Sequence, residues 1–95
     1  MRKREESVHY DLEIRGRVQG VGFRYSAVKQ AEKLHLTGYV KNLPSGNVYI
    51  EIEGPEPAVL KMIRWCLTGP SGARVTDISE YKGGLKNYDS FRIRY

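Results

Sequence analysis

Between Ile14 and Arg24 the apolar pattern changes its period, and the change spans three glycines in seven residues, Gly16, Gly20 and Gly22. Upstream, Val8, Tyr10, Leu12 and Ile14 alternate with His9, Asp11, Glu13 and Arg15, the period-two pattern of a strand with one buried face. Downstream of Phe23, Ala27, Ala31 and Leu34 fall at helical spacing, with Lys29, Gln30, Glu32 and Lys33 outside. A strand must therefore turn directly into a helix, and glycine lets the joining backbone take φ > 0 without a Cβ clash. The stretch 14–24 holds no Asp, Glu or Pro, so every amide from 18 to 24 is available as a donor and no carboxylate repels an anion. Such amides, gathered at the positive end of a helix dipole, form a concave anion site. Arg24 falls in the first helical turn, where the dipole disfavours a cation. A guanidinium that grips a tetrahedral oxyanion bidentately gives it a reason to be there. The turn reads as an anion cradle, for phosphate above all. The bland alternative is a strand-to-helix turn with an incidental surface arginine.

A nucleotide is not indicated. No Gly-x4-Gly-Lys-Ser/Thr occurs, and Gly20-Val21-Gly22 lacks the third glycine of a dinucleotide site. Ninety-five residues suit one domain over 7–95, after a charged N-terminal stretch 1–6 expected to be a flexible tail. The net charge of +5 suits an anionic ligand without requiring nucleic acid. No apolar run resembles a signal peptide or a membrane span. Cys66 is the lone cysteine, and with two scattered histidines it composes no metal site. The expectation is a soluble, cytoplasmic monomer without metal or cofactor.

Along the chain, His9 is expected on the solvent side of the first strand. The first helix should end near His35, with that residue in its last turn. A second strand is predicted over 36–42 and a turn at Leu43-Pro44-Ser45-Gly46. In the third strand Val48, Ile50 and Ile52 point inward, and Tyr49, Glu51 and Glu53 outward. Gly54-Pro55-Glu56-Pro57 ends that strand and starts a second helix. Val59, Leu60, Ile63, Cys66 and Leu67 form the buried face of that helix, with Met62 and Trp65 flanking. Residues 73–81 read as a strand with a bulge near Thr76-Asp77, because Val75 and Ile78 differ in parity. Residues 82–90 read as a loop, and Phe91, Ile93 and Tyr95 as a short closing strand. The order is β-α-β-β-α-β plus a terminal strand, an α+β, ferredoxin-like arrangement with an antiparallel sheet and both helices on one face. In its first β-α-β unit the two strands run parallel, so turn 16–24 and Asn42 share one rim.

Two stretches carry a family resemblance: Ile14-x-Gly16-x-Val18-Gln19-Gly20-Val21-x-Phe23-Arg24, and Gly38-Tyr39-Val40-Lys41-Asn42-x3-Gly46-x-Val48-x5-Gly54. Ala73-Arg74-Val75 and the terminal Phe91-x-Ile93-Arg94-Tyr95 extend it. The chain resembles the acylphosphatases. It departs from their pattern at Tyr39, where tryptophan is frequent, at Ser45, where aspartate often precedes the hairpin glycine, and at Tyr49, where glutamate is common. The resemblance implies hydrolysis of a small-molecule acyl phosphate to carboxylate and phosphate. It implies that Arg24 and the backbone of Val18, Gln19, Gly20, Val21, Gly22 and Phe23 bind the phosphoryl group, so phosphate or sulfate should occupy the loop. It implies that Asn42 orients the attacking water. The residue chemistry agrees: phosphoryl transfer rests on positioning and charge placement, and a leaving carboxylate, with a conjugate-acid pKa of about 4, needs no general acid.

Two other classes compete. A ferredoxin-like nucleic-acid binder would show basic and aromatic residues on the open sheet face, where this chain has Asp11, Glu13, Glu51 and Glu53 with Tyr49 nearly alone. A non-catalytic anion-binding module, or an acylphosphatase-like domain serving a larger hydrogenase-maturation assembly, is the other. The chain ends at the terminal strand, which favours a stand-alone enzyme.

Overall fold

The computed structural model describes residues 6–95, so the tail expected over 1–6 lies outside them except for Glu6. Seven elements follow in order: β1 (Ser7–Arg17), α1 (Phe23–Lys33), β2 (Thr37–Asn42), β3 (Val48–Pro55), α2 (Glu56–Thr68), β4 (Arg74–Gly83) and β5 (Phe91–Ile93). They build a five-stranded sheet in the order β4-β1-β3-β2-β5. β1 pairs antiparallel with β3 and β4, and β2 antiparallel with β3, whereas β5 adds parallel to β2. Four strands thus form the expected antiparallel sheet, and the short terminal strand makes it mixed by adding parallel at the β2 edge. Its terminal strand returns beside β2 because segment 84–90 carries the chain back across the sheet.

The alternating apolar residues of β1 and β3, Leu12 and Ile14 with Val48, Ile50 and Ile52, are fully buried beneath the helices. α1 packs on β2 and β5, and α2 on β1, β3 and β4. Ala27 and Ala31 let α1 lie close to the sheet. The buried stripe of α2 is Val59, Met62, Ile63 and Cys66. Leu60 and Leu67, expected inside, are 49% and 56% exposed, because each lies about a quarter-turn round the helix from the stripe. Cys66 behaves as a small core hydrophobe: burial pushes its thiol pKa up, away from nucleophilic use. The bulge appears where expected. Arg15 faces Asp77 and Gly16 faces Val75, leaving Thr76 as the extra residue of β4.

Three further expectations are corrected. α1 stops at Lys33, and His35 lies past its end at φ 58 rather than in its last turn. There the Leu36 amide donates to the Ala31 carbonyl and the His35 amide to that of Glu32, a Schellman ending that needs a left-handed residue at this position. β4 runs two residues further than predicted, to Gly83. Most consequentially, His9, Glu51 and Glu53 are buried, at 2%, 4% and 4% exposure. Their strands alternate as expected, but segment 84–90 folds over one end of the outer face and covers them.

Candidate active site

β1 delivers the chain into turn 18–24 with the Val18 side chain buried in the core, which fixes where the turn begins. Gly20 and Gly22 follow, both left-handed at φ 75 and 76. A Cβ at either would meet nothing within 4 Å, so these glycines serve the backbone conformation and leave the concave side open. Gly22 is the N-cap of α1, no side chain caps the helix, and no acidic residue stands in its first turn. The first helical bond runs from the Ser26 amide to the Gly22 carbonyl at 3.0 Å, so the amides of Phe23, Arg24 and Tyr25 lack helical acceptors. Among the described residues, no amide from 18 to 25 donates to another oxygen of a turn, loop or cap. Phe23 anchors the helix start by packing edge-on against Trp65, with ring centroids 5.4 Å apart.

The turn opens on a cleft of about 330 Å³. Of the residues singled out in the sequence, Val18, Gln19, Gly20, Gly22, Phe23, Arg24 and Asn42 line it. Val21 does not: its side chain turns away against Gly72. Asn42 enters as the last residue of β2, paired with Val48 across the hairpin. Sequence reasoning missed the remaining wall, Tyr25, Ile93 and Tyr95. Ile93 and Tyr95 arrive only through the parallel pairing of β5 with β2, which no local pattern encodes. The Tyr95 ring centroid lies 5.2 Å from the Arg24 guanidinium carbon, a cation–π contact. Among the described residues Arg24 has no carboxylate partner within ion-pair distance. Its charge therefore remains available to a ligand. The Gln19 side chain points out of the turn, donating to the carbonyls of Leu43 and Asn47 at 2.8 and 2.9 Å.

A second polar cluster sits on the outer sheet face under segment 84–90. The Glu51 carboxylate accepts from the hydroxyls of Tyr39 at 2.9 Å, Tyr49 at 2.7 Å and Tyr88, and Lys86 Nζ lies 3.2 Å away. Burial alone would raise its pKa, but these hydrogen bonds outweigh burial and hold it at about 2. Burial and the Glu51 charge push the Tyr39 hydroxyl up to about 12. Glu53 accepts from the amides of Lys86 and Asn87 and lies 2.7 Å from His9 Nδ1, while His9 Nε2 lies 2.6 Å from Asp11. The Arg94 guanidinium stacks 3.9 Å above the Tyr39 ring. His9, Asp11 and Glu51 offer atoms within 4.8 Å of one another, a spacing a metal could use, but those atoms are already committed to hydrogen bonds. The cluster is a clasp for segment 84–90.

A family model described as Acylphosphatase matches residues 10–93, nearly the whole described chain. The chain belongs to the acylphosphatase family. It is 48% identical over 83 residues to an acylphosphatase of Trichormus variabilis, covering 84% of this chain and 82% of that relative. It superposes on the crystal structure of the acylphosphatase from Bacillus subtilis with a TM-score of 0.90 at 40% identity, covering 93% and 99% of the two chains. It also resembles part of full-length HypF, solved in a phosphate- and nucleotide-bound form, with a TM-score of 0.86 at 30% identity over 98% of this chain and 12% of that one. Hydrolysis of acyl phosphates is the activity that acylphosphatase membership assigns to the chain. Among the described residues no helix is long and apolar enough to cross a membrane.

Proposed function

We propose that the chain hydrolyses acyl phosphates in the cleft at turn 18–24, with the phosphoryl group held by the loop amides and Arg24 and the attacking water aimed by Asn42. The observation that carries this reading is the left-handed Gly20–Gly22 turn opening onto an uncapped helix, with Arg24 unpaired beside it and Asn42 in the same cleft. The amides and the guanidinium supply donors to the equatorial phosphoryl oxygens, whose charge the transition state spreads. Asn42 offers a carbonyl acceptor and two donors, enough to orient a water without charging it. The water oxygen forms a bond to phosphorus as the bond to the acyl oxygen breaks. The electron pair leaves with the carboxylate, and the water proton passes to a phosphate oxygen. No general acid is required, because the leaving group is already a weak base.

The proposal includes inorganic phosphate or sulfate as a ligand of the same loop. It places the protein in the cytoplasm as a monomer, the single buried Cys66 giving no disulfide that would call for an oxidising compartment. A second reading, a domain of a larger assembly, draws on the likeness to one segment of HypF.

Steady-state hydrolysis of benzoyl phosphate, with inorganic phosphate as competitive inhibitor, tests both. Turnover by the isolated chain favours the enzyme. Asn42→Ala should keep the fold and phosphate inhibition but lose kcat by roughly 10²–10³, the scale of removing one preorganised polar group. Near-wild-type kcat in that variant would show that Asn42 does not aim the water.

A further inference from the structure

Asn42 is the last residue of β2, and beyond it the chain turns at once towards β3. The turn closes on its own bonds: the Leu43 amide donates to the Asn47 carbonyl at 2.9 Å, and the Gly46 amide to that of Leu43 at 3.1 Å. These bonds shape the turn but leave undefined how far it stands from turn 18–24. Asn47 Nδ2 donates to Glu13 on β1 at 2.6 Å, which steadies the β3 side. On the side facing the cleft, Gln19 makes the connection among the described residues. Its side-chain amide nitrogen, Nε2, carries two N–H groups, and both are spent at the neck of the turn, on Leu43 and Asn47.

We infer that Gln19 is a positioning residue for the reaction: its side chain clamps the β2–β3 turn to the phosphate loop and so fixes the distance from Asn42 to the bound phosphoryl group. The inference rests on the reading that Asn42 aims the water. Gln19 contributes to the cradle through its backbone amide and to the clamp through its side chain, so the two roles separate by mutation. In-line attack tolerates little positional error, since a displacement of about 1 Å can cost roughly 10²-fold in rate. Removing the clamp should therefore slow the chemical step while leaving the anion site intact. The turn should survive, because its internal bonds do not involve Gln19.

The test is a double-mutant cycle between Gln19→Leu and Asn42→Ala, read by kcat for benzoyl phosphate, by the inhibition constant of inorganic phosphate and by thermal melting with and without phosphate. Gln19→Met, similar in length to the native side chain, repeats the measurement as a guard against a packing artefact. Gln19→Leu should lower kcat by about 10- to 100-fold. It should leave phosphate inhibition within about twofold, and in the Asn42→Ala background it should change kcat by no more than about twofold. A purely structural role would instead cost the same factor in both backgrounds. Losses that multiply, a phosphate affinity that falls together with kcat, or an unchanged kcat in Gln19→Leu would overturn the inference while leaving the role of Asn42 standing. An unchanged kcat in Asn42→Ala alone would remove the water-aiming reading, and the clamp with it.

Discussion

Arg24 occupies a position that helix electrostatics disfavour, in a first turn without an acidic neighbour and with the Tyr95 ring beside it. An anion held as proposed would reverse that sign, because its charge would face the amides and the guanidinium together. Phosphate at ten times its Kd should then stabilise the native chain by about 1.4 kcal/mol. At roughly 4–8 °C per kcal/mol for a domain of this size, that amounts to several degrees in Tm. Arg24→Ala should abolish most of the rise. Arg24→Lys should restore part of it, since an ammonium lacks the planar fork. A rise of equal size in Arg24→Ala would place the anion elsewhere.

Segment 84–90 packs the Tyr88 ring edge-on against Tyr39, and its place on the sheet depends as well on buried carboxylates taking its hydroxyl, ammonium and amide donors. Glu51 titrates at about 2 when folded against an ordinary 4.5. Because the folded value is the lower, the stabilisation is fully present above about 4.5 and is lost as pH falls through about 2, roughly 3 kcal/mol in all. Denaturation at fixed pH should show that acid edge, and Glu51→Gln should flatten it while costing about 3 kcal/mol at pH 7. Tyr39 works at the other end: its raised pKa keeps a contribution that is complete below 10.0 and fades as pH climbs towards about 12. At the end of α1, His35 adopts φ 58 in a Schellman ending that glycine suits better. His35→Gly, at this exposed site, should stabilise the chain by about 0.5–1 kcal/mol in urea titration.

At the scale of the whole molecule, the apolar layer between the helices and one sheet face holds the fold, and the polar clasp on the other face holds the returning C-terminal segment. The proposed reaction uses the rim where β1, β2, α1 and β5 meet. Nothing proposed there calls for a metal, since the phosphoryl charge is met by amides and a guanidinium. Activity towards benzoyl phosphate should therefore survive dialysis against EDTA. A loss restored by magnesium or zinc would show that the charge is met otherwise.

Alternation and helical spacing are local properties, so the sequence alone placed β1, α1, the β2–β3 hairpin, α2 and even the bulge at Thr76, whose signal was the parity change between Val75 and Ile78. The glycine turn and its lack of carboxylates were equally local, and parallel β1 and β2 brought Asn42 to the same rim. Burial, in contrast, depends on what covers a face. His9, Glu51 and Glu53 read as solvent-facing because period two assigns a side of the sheet without saying whether another segment lies on it. Tyr95 and Ile93 reached the cleft, and Gln19 reached the hairpin, through contacts between elements distant in the chain. Such contacts follow from the register of a parallel pair and from the crossing of loops, and these the tertiary structure alone decides, because their energies depend on partners that no window of the sequence contains.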